Sequence, residues 1–360
     1  MRGMPTRREL LKSSSVALFG SLMAGGAPAA GAAWSESPQT GASPRGPVKP
    51  PRLKAGDTVG LVLPSFVQWD PVSIDILLDS LQALGLRGKL GKHVHDRRGY
   101  FAGRDEDRAA DVNAMFADPE VDAIHCIRGG WGAARLLPLL DWASIAAHPK
   151  IFIGYSDITA LLLSLYAKTG LVTFHGPVGA SSWNAFNVDW MKRVLWNAEA
   201  ATFANTKAPD DTLVPVKNRT RTIMPGKAKG RLLGGNLTVL SAIVGSGYLP
   251  DFGDCILFLE DVEEAPYSVD RMLTQLKLAG ILDRAKGVAW GTCEKCDPGE
   301  GFGSLTIPDV LDDHVKPLGV PAFSGAMIGH VDRQFTLPLG VQVEIDADAG
   351  TLAMLEGAVA

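Results

Sequence analysis

The sequence predicts an α/β protein in two parts: a mostly parallel sheet with helices on both faces, then a mixed α and β region. Three observations carry this. Between Asp57 and Phe174, short apolar runs alternate with segments of helical periodicity, which is how a parallel sheet covered by helices reads in sequence. From about Ser182 to Lys229 the pattern thins, and Asn, Thr, Asp and Lys become frequent. At Gly230 apolar runs resume in a less regular order. A length of 360 residues fits about two domains of roughly 100–200 residues each.

The elements follow in order. Thr6-Arg7-Arg8 precedes a short, weakly apolar stretch from Val16 to Met23 and a run of Ala, Gly and Pro to about Ala33. Paired arginines, a weak apolar core and small residues in that order describe a twin-arginine export signal over residues 1–33. That route carries folded proteins, so the expected location is the periplasm. Residues 34–52, rich in Ser, Pro and Gly, read as a flexible leader. Asp57–Pro64 is a buried strand, Pro71–Leu84 a helix, Gly88–Val94 a short strand and Arg104–Phe116 a helix with Ala109, Val112 and Met115 on its apolar face. Val121–Ile127 is a third strand, Arg128–Gly132 a glycine loop and Ala133–Leu140 a helix. Ile151–Tyr155 is a fourth strand, followed by a helix from Asp157 that stops at Gly170. Val172–Phe174 is a strand ending in His175-Gly176-Pro177. In the second part, Cys255–Leu259 and Gly287–Gly291 are strands, and Pro266–Ala279 and Ile307–His314 are helices. Val341–Ile345 and Thr351–Leu355 form a hairpin.

Composition narrows the function. Net charge is −4 with no long basic run, which argues against a nucleic-acid partner. No apolar stretch in the body reaches the ~18 residues of a membrane span. Cys126 and Cys255 sit in apolar runs and read as core residues. Cys293 and Cys296 form a lone CxxC, which is a poor zinc signal without a second pair. A surface disulfide and two free thiols fit it equally. No metal or cofactor is expected.

Ser156 sits where an apolar strand turns sharply into a helix. That geometry suits a helix cap. It also suits an exposed nucleophile flanked by helix-start amides. A nucleophile would need a base, an orienting acid and donors for an oxyanion. Among seven histidines, His175 and His330 each end an apolar run and enter a loop. Glu260 and Asp261 end a strand. Spacing does not choose between them. Gly129 and Gly130 offer backbone amides without side chains, beside the bulky Trp131.

Eight ordered motifs carry a resemblance. They are Pro64-Ser65-Phe66, Tyr100–Asn113, Ile127–Leu137, Pro149–Leu161, His175-Gly176-Pro177, Gly234–Leu240, Leu257–Leu273 and Gly329–Gly340. From about Leu53 to Leu355 the chain resembles the LD-carboxypeptidases of serine peptidase family S66, which also holds the microcin C immunity proteins. The resemblance implies a flavodoxin-like N-terminal domain (53–182), a connecting segment (183–229) and a smaller, β-rich α+β C-terminal domain (230–360). It implies a nucleophile at Ser156, an acid at Glu260 and a base at His330, with His175 structural or supporting the catalytic residues from behind. Oxyanion amides would come from Gly130 and Asp157. Arg128 is a candidate partner for the substrate's terminal carboxylate, or else a loop anchor, and Trp131, where the family usually has tyrosine, is a candidate substrate contact. The implied substrate is a murein tetrapeptide that loses its terminal D-alanine, and the implied assembly is a homodimer without metal. Two other readings are an amide hydrolase of the microcin C immunity type and a non-catalytic murein-binding protein.

Overall fold

The computed structural model describes residues 46–360 apart from 209, 210, 212 and 300–302. The expected export signal and most of the leader lie outside the described residues. Residues 48–52, expected as the end of a flexible leader, are fixed in place. Val48 donates to and accepts from the backbone at Gly170 and Val172, and Pro50 and Arg52 bond to Ala360.

Two sheets organise the chain. The first has six strands in the order β12-β5-β4-β3-β1-β2. Its members are β1 (Thr58–Val62), β2 (Arg87–Leu90), β3 (Ala123–Cys126), β4 (Ile151–Gly154), β5 (Thr173–His175) and β12 (Leu337–Leu339). β1 to β5 are parallel, and the order 2-1-3-4-5 is that of flavodoxin-like sheets. Their near-continuous apolar runs are what a sheet buried on both faces requires. Helices Val72–Ala83, Asp105–Ala117 and Thr159–Thr169 make the crossovers. A short helix, Trp142–Ala147, fills a stretch to which the sequence pattern assigns no element. The expected helix after the glycine loop is instead a 3-10 helix, Ala133–Leu139. Pro138 inside it lacks the N–H that an α-helix interior needs.

The second sheet has eight strands in the order β6-β14-β13-β8-β9-β10-β11-β7. β8 (Lys227–Asn236), β9 (Cys255–Val262), β10 (Gly287–Glu294) and β11 (Ala322–Ser324) are parallel. β13 (Gln342–Asp346) and β14 (Thr351–Met354) form the expected hairpin. This sheet, expected in the smaller domain, is the larger of the two. The reason is that the thin-patterned segment contributes β6 (Thr202–Ala204) and β7 (Arg221–Met224) to its two edges. The same segment holds the helix Ala185–Leu195, which buries Trp190, Met191, Val194 and Leu195. β12 crosses the expected boundary in the other direction and pairs antiparallel with β5.

A close contact joins the end of β8 to the helix that follows the serine turn. The Asn236 amide donates to Thr159 Oγ1 at 3.0 Å. A Cβ on Gly235 would lie 2.5 Å from Thr159 Cγ2, so only glycine lets the end of β8 reach this helix. Thr159 follows Ser156 by one helical turn. The carboxyl ends of β4 and β9 therefore meet across a cleft.

Candidate active site

Ser156 opens a 3-10 turn, Ser156–Ile158, with only Tyr155 between it and the end of β4. Its φ is 63°, the left-handed region that costs a residue with a Cβ on the order of 1 kcal/mol. Its hydroxyl caps no helix amide. The α-helix begins at Thr159 without a side-chain cap, and Ser156 Oγ lies 3.0 Å from His330 Nε2. His330 Nδ1 lies 2.8 Å from Glu260 Oε2. Hydroxyl, imidazole and carboxylate thus form one hydrogen-bonded chain drawn from three distant parts of the sequence.

Strand geometry separates the two acid candidates. Successive strand side chains point to opposite faces, and Glu260 and Asp261 are neighbours near the end of β9, just before Val262. The Glu260 side chain is fully buried and meets His330. Asp261 turns the other way. It accepts from Asn236 Nδ2 at 3.0 Å and from the amide and hydroxyl of Thr238. Burial and the neighbouring Glu260 charge push its pKa up to about 6. Burial acts to lower the His330 pKa, but the hydrogen bond and charge of Glu260 outweigh it. With Asp261 and Glu263 adding to the effect, the imidazole titrates above its ordinary value.

The glycine loop packs against the serine turn. A Cβ on Gly129 would lie 3.0 Å from Ser156 Cβ and 3.1 Å from the Tyr155 carbonyl oxygen. Gly130 has φ 116°, and a Cβ there would lie 2.4 Å from Phe66 Cβ. The Asp157 carboxylate ties the two segments together. Its Oδ2 accepts from the Ser65 hydroxyl and from the Ala133 amide at 2.7 Å. Burial raises its pKa, and those two hydrogen bonds oppose the rise. Behind the loop, buried Arg108 donates to the Pro64 carbonyl at 2.5 Å and to the Gly132 carbonyl at 3.2 Å. Asp105 pairs with Arg108 and with Arg135. The motifs at Pro64, Tyr100–Asn113 and Ile127–Leu137 are therefore one scaffold under one loop.

An open cleft of about 650 Å³ lies over Ser156, lined also by Arg128, Gly129, Gly130, Tyr155, Glu263 and His330. Arg128 stacks 4.9 Å over the Phe66 ring and donates to the Val67 carbonyl at 3.4 Å. It has no acidic partner among the described residues. Trp131 does not line this cleft. It is 55% exposed, between Gly130 and Gly132, both at positive φ. Tyr155 and Glu263 line the cleft although the sequence reading gave them no role. The signal for Glu263 was its place in the acidic run 260–264.

The remaining candidates fall elsewhere. His175 is fully buried beneath the site, edge-on to Tyr155 and Phe258. Burial pushes its pKa down to about 4. His125 is also buried and lies 2.8 Å from the Pro177 carbonyl oxygen. His314 meets Asp270 at 2.6 Å. Cys293 and Cys296 are joined in a disulfide, and Cys126 and Cys255 are free and buried. Among the described residues, one group has metal-ligand proximity: His93, Asp96 and Asp107. It lies outside the cleft, among Arg97, Arg98 and Arg104.

Comparison with known proteins places these observations. Residues 59–176 match the LD-carboxypeptidase N-terminal domain of peptidase family S66, and residues 229–345 match its C-terminal domain. A probable murein peptide carboxypeptidase of Bacillus subtilis is 38% identical over 315 residues, covering 86% of this chain and 95% of that protein. A murein tetrapeptide carboxypeptidase of Pseudomonas aeruginosa is 34% identical over 295 residues, covering 78% and 91%. The solved structure of the microcin C7 self-immunity protein MccF superposes with a TM-score of 0.78 at 29% identity, covering 87% of this chain and all of that one. The chain belongs to the LD-carboxypeptidase family S66 and is a serine-type carboxypeptidase, a hydrolase related to the murein tetrapeptide carboxypeptidases.

Proposed function

We propose that this enzyme releases the terminal D-alanine of murein tetrapeptides through an acyl-enzyme formed on Ser156. The observation that carries the reading is the chain Ser156 Oγ, His330 Nε2, His330 Nδ1 and Glu260 Oε2, with contacts of 3.0 Å and 2.8 Å. His330 takes the hydroxyl proton as Ser156 attacks the carbonyl carbon before D-alanine. Glu260 holds the imidazole in the tautomer that leaves Nε2 free to accept, and it stabilises the imidazolium that forms. The oxyanion is met by the amides of Gly130 and Asp157, each worth roughly 3 kcal/mol of barrier when well aimed. His330 then gives its proton to the leaving amine. Water, activated by the same imidazole, clears the acyl group. Arg128 is the partner for the substrate's terminal carboxylate, since it lines the cleft and has no acidic partner among the described residues.

The test uses disaccharide tetrapeptide, with mass spectrometry of the products. Wild type yields tripeptide and free D-alanine, and Ser156→Ala lowers the rate by roughly a thousandfold or more. Absence of D-alanine from the wild-type reaction overturns the reading, and full activity of Ser156→Ala overturns the nucleophile. The similarity to MccF keeps a second reading in play, hydrolysis of an aminoacyl-nucleotide amide. Such a substrate is a parallel arm of the same assay. The paired arginines at the N-terminus support export by the twin-arginine route and work on the sacculus from the periplasm. Family resemblance supports a homodimer.

A further inference from the structure

Besides His330, the cleft carries one cationic and one acidic side chain among its lining residues, Arg128 and Glu263. Arg128 comes from the loop after β3 and Glu263 from the turn after β9, so the two charges reach the cleft from different sheets. Arg128 has a use in the carboxypeptidase reading, and Glu263 has none yet.

Backbone geometry singles Glu263 out. Among the described residues, six that are not glycine have positive φ: Ser156, Ala198, Asn218, Asp254, Glu263 and Lys295. Two of the six, Ser156 and Glu263, line this cleft, and a third, Lys295, bonds to Glu263. Glu263 has φ 58° and Lys295 φ 56°, conformations that a glycine would adopt without penalty. Strain of this kind persists where surrounding structure enforces it, and it gathers at functional sites. Here the enforcement is visible. The Glu263 amide donates to the Glu294 carbonyl at 2.8 Å, Glu294 pairs with Val262 along β9 and β10, and the Cys293–Cys296 disulfide closes the turn that holds Lys295.

The side chains fit the same picture. Lys295 Nζ donates to Glu263 Oε1 at 2.6 Å, which leaves the second carboxylate oxygen open. The Lys295 hydrogen bond holds the Glu263 carboxyl below its ordinary range, so it is anionic at neutral pH. An anion on the wall of a peptide cleft recognises a cation. In a murein tetrapeptide the residue before the terminal D-alanine is a diamino acid, and its distal ammonium lies one side chain from the scissile carbonyl.

We propose that Glu263 is a specificity-determining residue that reads the distal ammonium of the diamino acid next to the scissile bond. The proposal rests on the carboxypeptidase reading and adds the substrate feature that the cleft selects.

Two tetrapeptides test it, identical except for L-lysine or L-norleucine in third position. Norleucine keeps the carbon chain and lacks the ammonium. Wild type is expected to favour the lysine peptide in kcat/KM by about fivefold, the scale of a solvated ion pair. The difference is expected in KM. Glu263→Gln, which keeps the shape and loses the charge, is expected to bring the ratio close to one. Glu263→Gly, which relaxes the left-handed position, is expected to do the same and guards against misfolding as the cause. A wild-type ratio near one, or a ratio unchanged in both variants, overturns the proposal while D-alanine release still stands. Failure of wild type to release D-alanine from either peptide overturns the carboxypeptidase reading and this proposal with it.

Discussion

Ser156 and His330 show how far single side chains depend on their surroundings. A serine after a strand is ordinarily a cap, and its hydroxyl then turns back to the helix amides. Here φ of 63° directs the hydroxyl away from the helix and towards His330. The imidazole carries two opposing influences, burial that favours the neutral ring and Glu260 that favours the charged one, and the second prevails. A general base must be neutral in the free enzyme, so a raised pKa moves the acid limb of activity to higher pH. We expect kcat/KM for tetrapeptide hydrolysis to fall on acidification with a midpoint above the ordinary 6.5. A pH–rate profile checks this, and a midpoint below 6.5 would contradict the assignment. The expectation for Asp157 was drawn from its amide alone. Its carboxylate has a separate task, holding Ser65 and Ala133, which lie 92 and 24 residues away. Sequence neighbours gave no sign of either partner.

The glycine loop is the element whose shape matters most. Ser156 and Tyr155 already fill the space a side chain on Gly129 would take, and Phe66 fills it at Gly130, so the motif is a steric requirement before it is an electrostatic one. Gly130→Ala would place a Cβ 2.4 Å from Phe66 Cβ at a φ of 116°. The loop must then shift, and a misplacement of about 1 Å near the reacting carbonyl costs roughly a hundredfold in rate. We expect that loss in kcat/KM with far-UV circular dichroism unchanged. Gly245→Ala is the control. It also has positive φ, 81°, but nothing within 4 Å of its Cβ. It is expected to lose on the order of 1 kcal/mol of stability and keep its rate. Equal activity losses in the two variants would refute the steric argument.

At the level of the whole molecule, the two halves of the chain are tied by a strand and a seam. β12 completes the first sheet from the second half of the chain, and Thr159 bonds the end of β8. The site needs both, since Ser156 comes from one sheet and Glu260 from the other. The core beneath it holds two buried neutral histidines. Burial pushes both His125 and His175 from 6.5 down to about 4. The unfolded chain therefore binds protons that the folded chain refuses. Their contribution to stability is complete above about pH 6.5 and is lost progressively as the pH falls towards 4. Urea unfolding at pH 7 and pH 5 is expected to differ by on the order of a few kcal/mol, with the acid side weaker. His125→Gln is expected to reduce that difference, and an undiminished difference would rule His125 out as a source.

Several features were legible from residues alone. The alternation of strands and helices up to Phe174, the turn at Ser156 and the glycine loop each rest on local pattern, because periodicity and glycine sterics act over a few residues. The ordered motifs carried the family and pointed to Ser156, Glu260 and His330. Other features waited for the tertiary structure. The thin-patterned segment supplies edge strands, whose half-exposed positions weaken any apolar periodicity. The disulfide between Cys293 and Cys296 depends on the turn that brings the two together. The exclusion of Asp261 depends on which face of β9 meets His330. Trp131 faces outward and Glu263 faces the cleft. These are facts about which distant segments touch, and a sequence records local preference without recording contact.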